Sequence, residues 1–583
     1  MKRAIVLISG LLLCQASVLQ AQKKDTLKTE VIIISEFEPT ISDARKLSKE
    51  PDIKQVESPK IDFQYDVDPV FVENEFTADT IKAAKIKSEG LRRLYKSYMR
   101  LGAGNYTSTL ADLYINNTRS KDTWWGGGFH HRASAGDNVQ EYTNRFSSQN
   151  ANAYYKKIWK SHFGIADINY SRDQVYYYGI DSLSAPLYRE LMNQDSLQQT
   201  FQTFGAKAEY RSFFADSSQV NYHIKLNFKH LWNADEFTES RVLLSTQWDQ
   251  YFGDQQGLLF FDVDVNSPTS NFAGTSIQPA VPDGMYKQNI LVRLEPHVIA
   301  EGEKFKLDAG LGMWLENESE TTFRFYPKAE FKYNVIGNIV IPYVGVTGGL
   351  ERVNYNSLRT ENPWISQNVE INNQNNRYDA YVGVRGTYSS TISFNIKAGR
   401  QQYANYHLFV NSPLFDPLSL PVEINTSNQF DVVYDTMNIR HVLVEMAYHK
   451  MEKWNLTWRN EYRSYDPSNE IKAWNLPNFT STLTFRYDLQ DKLVLTTDLF
   501  FVSDRYVKEL NANEGEELAY GVYGTKLPSY IDANLGLEYR YNRKIAAFVQ
   551  LNNIANQRYQ MFKDYEVQGF NVMAGFSYSF LGD

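Results

Sequence analysis

Phe570-Asn571-Val572-Met573-Ala574-Gly575-Phe576-Ser577-Tyr578-Ser579-Phe580 is the stretch on which the reading of this chain turns. Phe570, Val572, Ala574, Phe576, Tyr578 and Phe580 form an apolar, aromatic row, and the residues between them are small or polar apart from Met573. Successive side chains of a strand point to opposite faces, so one face suits hydrocarbon and the other water or protein. That is the wall chemistry of an antiparallel barrel that crosses a membrane with strands.

The same alternation recurs upstream. Tyr222, Ile224, Leu226 and Phe228 interleave with Asn221, His223, Lys225, Asn227 and Lys229. Ile392, Phe394, Ile396 and Ala398 interleave with Ser393, Asn395 and Lys397, and Ile531, Ala533, Leu535, Leu537 and Tyr539 with Asp532, Asn534, Gly536, Glu538 and Arg540. A period of two over such lengths is the signature of a half-buried strand. The chain of 583 residues carries 40 Tyr and 34 Phe, yet its mean hydropathy is −0.47. Beyond the N-terminus no apolar run approaches the roughly 18 residues a helical span needs. A net charge of −8 gives no basic surface for nucleic acid.

The N-terminus reads as a secretory signal over residues 1–21: Lys2 and Arg3, an apolar stretch from Ala4 to Leu13, and cleavage after Ala21. Cys14 is the only cysteine. Leu13 stands where a lipidation motif wants a small residue, so Cys14 is read as leaving with the signal, and cysteine-based metal or nucleophile chemistry leaves with it. Residues 22–95 are charged and carry Pro39, Pro51, Pro59 and Pro69, with one strand-like stretch, Val31-Ile32-Ile33-Ile34. They read as a periplasmic arm or a reduced plug ahead of a barrel over residues 96–583.

Connections in the barrel region are unequal. Tight polar turns are expected near Arg119–Asp122, Ala215–Ser218, Glu301–Lys304, Gly337–Asn338, Ser389–Ser390, Glu452–Lys453, Gln490–Lys492 and Asn542–Lys544. Long connections are expected near Asp181–Leu197, Asn266–Gly284, Asn356–Asn373, Asn411–Ser427 and Lys508–Leu527. Short turns on one rim and long loops on the other are characteristic of outer-membrane barrels. Pairing strands around the loops gives about 22 strands, an even number as bacterial barrels have. Glu239–Val265 and His407–Asp435 show the strand pattern least clearly.

Ser529–Phe580 resembles the end of TonB-dependent receptor barrels. The matching residues are the strand Ile531–Arg540, then Val549-Gln550-Leu551-Asn552-Asn553-Ile554-Ala555-Asn556-Gln557-Arg558-Tyr559, then the final aromatic strand. In that family the Asn-rich segment and its Tyr sit on the penultimate strand. The resemblance implies a plug that gates the barrel, contact with TonB through a short apolar strand such as Val31-Ile32-Ile33-Ile34, and recognition by the barrel-assembly machinery through Phe576, Tyr578 and Phe580. Residues 22–95 are shorter than the family's plug.

Several motifs admit a functional and a structural reading. Trp124-Trp125-Gly126-Gly127-Gly128 suits a barrel bend with interfacial tryptophans better than a ligand approach. Gly102-Ala103-Gly104 is a strand glycine pair without the helix and Lys of a phosphate loop. His130 and His131 fall on opposite faces and do not share a metal, and His441 and His449 have no ligand spacing. Asp262 and Asp264 share a face, as a calcium site or, more simply, a solvated pair. Ser134 lies near His131, but nothing orients the histidine as a general base. Tyr176-Tyr177-Tyr178, Trp364 and Pro413-Leu414-Phe415 suit ligand platforms or loop packing.

The expectation is an all-β outer-membrane barrel that moves or admits a solute, without enzyme activity, cofactor or metal. Lys225, Lys229, Glu538 and Arg540 are expected to line its interior. A barrel that scaffolds an envelope complex and a passive porin are the alternatives.

Overall fold

The computed structural model describes residues 94–117, 120–139, 142–180, 197–273, 280–413, 426–450, 453–509, 516–519 and 522–582. The signal, Cys14, the arm 22–93 with Val31–Ile34, and Leu414-Phe415 lie outside them.

Twenty-two antiparallel strands form one sheet, from Tyr95–Gly104 to Asn571–Gly582. Each strand pairs with the next, and the last pairs back to the first from Tyr95↔Gly582 to Gly104↔Met573. The sheet therefore has no free edge, as hydrocarbon requires. The backbones come very close at this closure. A Cβ on Gly575 would stand 2.0 Å from the carbonyl oxygen of Leu101, and one on Gly104 would stand 2.2 Å from that of Val572. The strand glycines 102 and 104 thus serve the seam.

Alternation in sequence becomes inside and outside in the wall. Ile531, Leu537 and Tyr539 are exposed on the outer face, as are Leu226, Ile396, Phe576 and Tyr578. Between Phe576 and Tyr578, Ser577 points inward and is buried, and Met573 packs inside with Leu110 and Phe548. Arg100 lies 4.0 Å over the Phe548 ring. Trp125, Tyr155, Trp159, Trp248, Tyr388 and Tyr541 are exposed near the rim of short turns, where amphipathic rings mark a membrane interface. Trp124 differs from its neighbour: it pairs with Lys156, whose ammonium lies 4.6 Å over its ring, on the inner face. Gly126 is a glycine because Asn116 and Tyr154 fill the space of its Cβ.

The strand ends that flank all eight expected turns lie on one rim, together with both ends of the barrel sequence, and those that flank all five expected long connections lie on the other. The unclear stretch Glu239–Val265 is a regular hairpin, Phe237–Phe252 with Gln255–Ser270. The described residues of His407–Asp435 belong to the longest pair of strands, Ile392–Pro413 and Thr426–Lys450. Among the described residues around the connection Lys508–Leu527, Arg505–Glu509, Glu516–Ala519 and Val522–Leu527 make a separate three-stranded sheet. The penultimate strand ends at Asn552, so the Asn-rich segment continues off it as a loop. There Asn553 bonds the backbone of Gln557 and Gln568, and Tyr559 stacks on Tyr530 at 3.8 Å.

Candidate functional site: a capped mouth over a charged interior

A ring of 22 strands is too wide for its own side chains to fill; barrels of this size are plugged or open. The inner wall here is polar and internally paired. Asp379 meets Lys397 at 3.2 Å and His441 at 2.9 Å, and Glu445 meets Arg459 at 2.8 Å. Arg540 bonds Glu538 at 2.8 Å and Asp488 at 3.3 Å. Lys225 and Lys229 occupy the inward register of their strand, with Lys229 exposed.

The mouth on the long-loop side is covered. Segment 352–373 enters it through one short helix, Tyr355–Glu361. Asn354 caps that helix by accepting from Ser357 N, while the Ser357 hydroxyl accepts from Asn354 N, a reciprocal capping box. The next two amides are taken by a distant carboxylate: Tyr355 N and Asn356 N each donate to Glu239 at 3.0 Å. Arg359 reaches Asp173 at 3.3 Å and lies over Phe201. Tyr355, Leu358, Ile365 and Val369 are fully buried.

Past the helix, Ile365 forms a parallel bridge with Phe430. Trp364 stacks on Tyr565 at 3.9 Å. Tyr177 donates to Ile365 O at 3.1 Å, Asn428 to Tyr177 O at 2.6 Å, and Tyr565 to Asn428 O at 2.5 Å. Tyr177 follows the fifth strand of the ring, His162–Tyr176, whereas Asn428 lies on the sixteenth, Thr426–Lys450. These strands are on opposite sides of the ring, so bonds between them span the opening. Gly179 allows the Tyr565 ring in: a Cβ there would sit 2.2 Å from it. Burial raises the phenol pKa values of Tyr177 and Tyr178, so both stay neutral donors at any physiological pH.

Tyr176-Tyr177-Tyr178 and Trp364 are therefore loop packing, not free platforms. A second buried group, Trp474 with Leu408, Val410 and Met437, seats segment 468–478 beside the cap. Asp435 holds that segment by accepting from Asn469 N and Glu470 N at 2.9 and 2.8 Å.

The remaining sequence candidates come apart. Asp264 is held bidentately by Arg241 at 2.9 and 2.7 Å and again by Arg352, and Asp262 pairs with Arg293. Neither the calcium reading nor the solvated pair describes them; they are ion-paired. His130 bonds Asp112, while His131 bonds Thr109 on the other face at 3.1 Å. Ser134 bonds Ser108 and Gln568 rather than His131. Phe576 and Tyr578 face outward, and the Tyr578 ring stacks against Phe580 at 5.8 Å.

Barrel, girdle and capped polar interior define an outer-membrane barrel with the fold of TonB-dependent receptors. The ferripyoverdine receptor of the Pseudomonas aeruginosa outer membrane is 12% identical, with a TM-score of 0.60 over 84% of this chain and 72% of its own. The FrpB iron transporter of Neisseria meningitidis is 10% identical, with a TM-score of 0.62 over 84% of this chain and 82% of its own. The siderophore receptor PirA of Acinetobacter baumannii is 11% identical, with a TM-score of 0.61 over 84% and 81%. No protein-family model and no curated protein matches the sequence.

Proposed function

We propose that this protein admits a solute across the outer membrane, and that the loop cap is its outer barrier. The observation that carries the reading is the buried cap joined across the ring above a charged, side-chain-lined interior. A passive porin needs an open mouth, and a scaffold has no use for a wide polar lumen under a closing lid. Residues 22–95 act as the inner barrier, and Val31, Ile32, Ile33 and Ile34 engage TonB or another periplasmic protein. Phe576, Tyr578 and Phe580 present the strand to the assembly machinery. The role is transport rather than catalysis. Neighbours named as siderophore receptors and as an iron transporter make a compact polar chelate the first solute to try.

Planar-bilayer conductance tests the reading. The full-length protein should conduct little. Deleting residues 22–95 and replacing Gly179 by Ala, which wedges Tyr565 out of the cap, should together open a large channel, with either change alone opening less. Large steady conductance of the unaltered protein would make it a porin. A doubly altered barrel that folds and still does not conduct would favour the scaffold.

A further inference from the structure

Beside the cap a cleft of about 240 Å³ opens between three loops of the same rim. Tyr286 and Lys287 come from one loop, Glu318 and Ser319 from the next, and Glu370 and Asn372 from the cap segment. Its charges are uneven. Arg352 also lines it, but that guanidinium is held by Asp264 at 3.2 Å and by Asn289. Lys287 donates to the Ser319 hydroxyl at 3.0 Å rather than to a carboxylate. Glu370 accepts from the Asn372 side chain at 2.7 Å, which leaves most of its lone pairs unused. Burial first, then the Glu316 and Glu370 carboxylates, raise the pKa of Glu318 against the pull of Lys287 and Arg352. Glu316 itself is paired with Arg324 at 2.6 Å. Glu318 and Glu370 thus face one ammonium between them, and an added cation would be attracted.

Acidic loops are often no more than solvated surface. Asn266 marks this cleft as something more: it lines the wall and is 2% exposed. Its amide nitrogen donates to Glu239 at 3.1 Å. A carboxylate only accepts, so that bond fixes which end of the amide is which. The other end, Oδ1, is buried without a partner. An unmatched buried acceptor costs its desolvation, and a donor brought by a ligand would remove that cost. Lys287 apart, the groups with capacity to spare are therefore acceptors: Glu318, Glu370 and Asn266 Oδ1. Among the described residues no three His, Cys, Asp or Glu side chains converge as metal ligands. The complement is an organic cation that carries its own N–H donors.

We propose that the cleft binds a small hydrophilic solute through its primary ammonium group. Glu318 and Glu370 hold the ammonium, while a further N–H or O–H of the same molecule donates to Asn266 Oδ1. An amino sugar and a short polyamine both present that chemistry. The position suits a solute about to enter. Tyr286 donates to Gln367 O and Val369 O of the cap segment, and Asn266 bonds the same Glu239 carboxylate that holds the cap helix. An occupant therefore sits one side chain away from the outer barrier. The inference rests on the solute-admitting reading and narrows it, by giving the solute a positive charge.

Isothermal titration calorimetry on the full-length protein in detergent tests it. The probes are glucosamine and putrescine, each beside its uncharged counterpart, N-acetylglucosamine or 1,4-butanediol. At least one amine should bind saturably, and its counterpart at least about tenfold more weakly, as expected for losing a charged hydrogen-bonded contact. The tighter of the two amines tells an amino-sugar site from a polyamine site. Glu318→Gln with Glu370→Gln should weaken that amine at least about tenfold, whereas Lys287→Met should leave it as tight or tighter. Both variants should keep the circular dichroism of the wild-type barrel, since the changes lie in loops. Equal binding of an amine and its counterpart, undiminished binding by the folded double variant, or no saturable binding of either amine would overturn the proposal. Binding is read without passage, so porin-like conductance together with selective amine binding would count against the transport reading alone.

Discussion

Glu239 has no sequence neighbour that marks it, yet it anchors the cap. Its carboxylate accepts from Tyr355 N, Asn356 N and the Asn266 side chain, and it is almost fully buried. Hydrogen bonds to a charged group contribute about 1.5–3 kcal/mol, and a buried donor left alone costs its desolvation. Glu239→Ala should therefore loosen the helix by about 2 kcal/mol or more, read as faster hydrogen exchange over Tyr355–Glu361 with the barrel strands unaffected. Unchanged exchange there would show that the capping box alone holds the helix. Tyr565→Ala removes the stacking on Trp364 and the bond to Asn428; a large-to-small change at a buried aromatic costs about 3 kcal/mol or more, so limited proteolysis should cut the loops of the variant first. The helix amides that Glu239 accepts from and the partners of Tyr565 lie more than a hundred positions away in sequence, beyond the reach of any local pattern.

At the scale of the element, strands were legible where one face meets lipid. Ile531–Tyr539 alternates because hydrocarbon tolerates only apolar side chains on that face. The extended pair Ile392–Pro413 and Thr426–Lys450 was harder to read, since its outer parts leave the wall and bury Phe409, Phe430 and Val432 in the cap. Some loops on the capped rim, such as 234–236 and 318–320, are as short as the turns opposite, so length alone did not assign them. The closure is the element most sensitive to one atom. Gly575→Val would force a side chain into the Leu101 carbonyl, and the barrel should lose the heat-modifiable gel migration of a closed ring. Normal migration of that variant would mean that the first and last strands are not in contact.

For the whole molecule, alternation and turn asymmetry together led to a ring of 22 strands, and the structure has that number. The cap was not legible, because its aromatics read equally as ligand platforms, and only their burial against opposite sides of the ring distinguishes the two. The ion pairs at Asp262 and Asp264 were hidden for a related reason: Arg352 reaches Asp264 from a different loop. All of it depends on alternate residues facing hydrocarbon and a polar interior. A nitroxide scan from Ile531 to Arg540 in lipid vesicles, one substituted cysteine at a time, measures this directly. Oxygen accessibility should peak at Ile531, Ala533, Leu535, Leu537 and Tyr539, and accessibility to a water-soluble chelate should be lowest there and higher at the residues between. Uniform accessibility along the strand, or peaks without a period of two, would contradict the barrel.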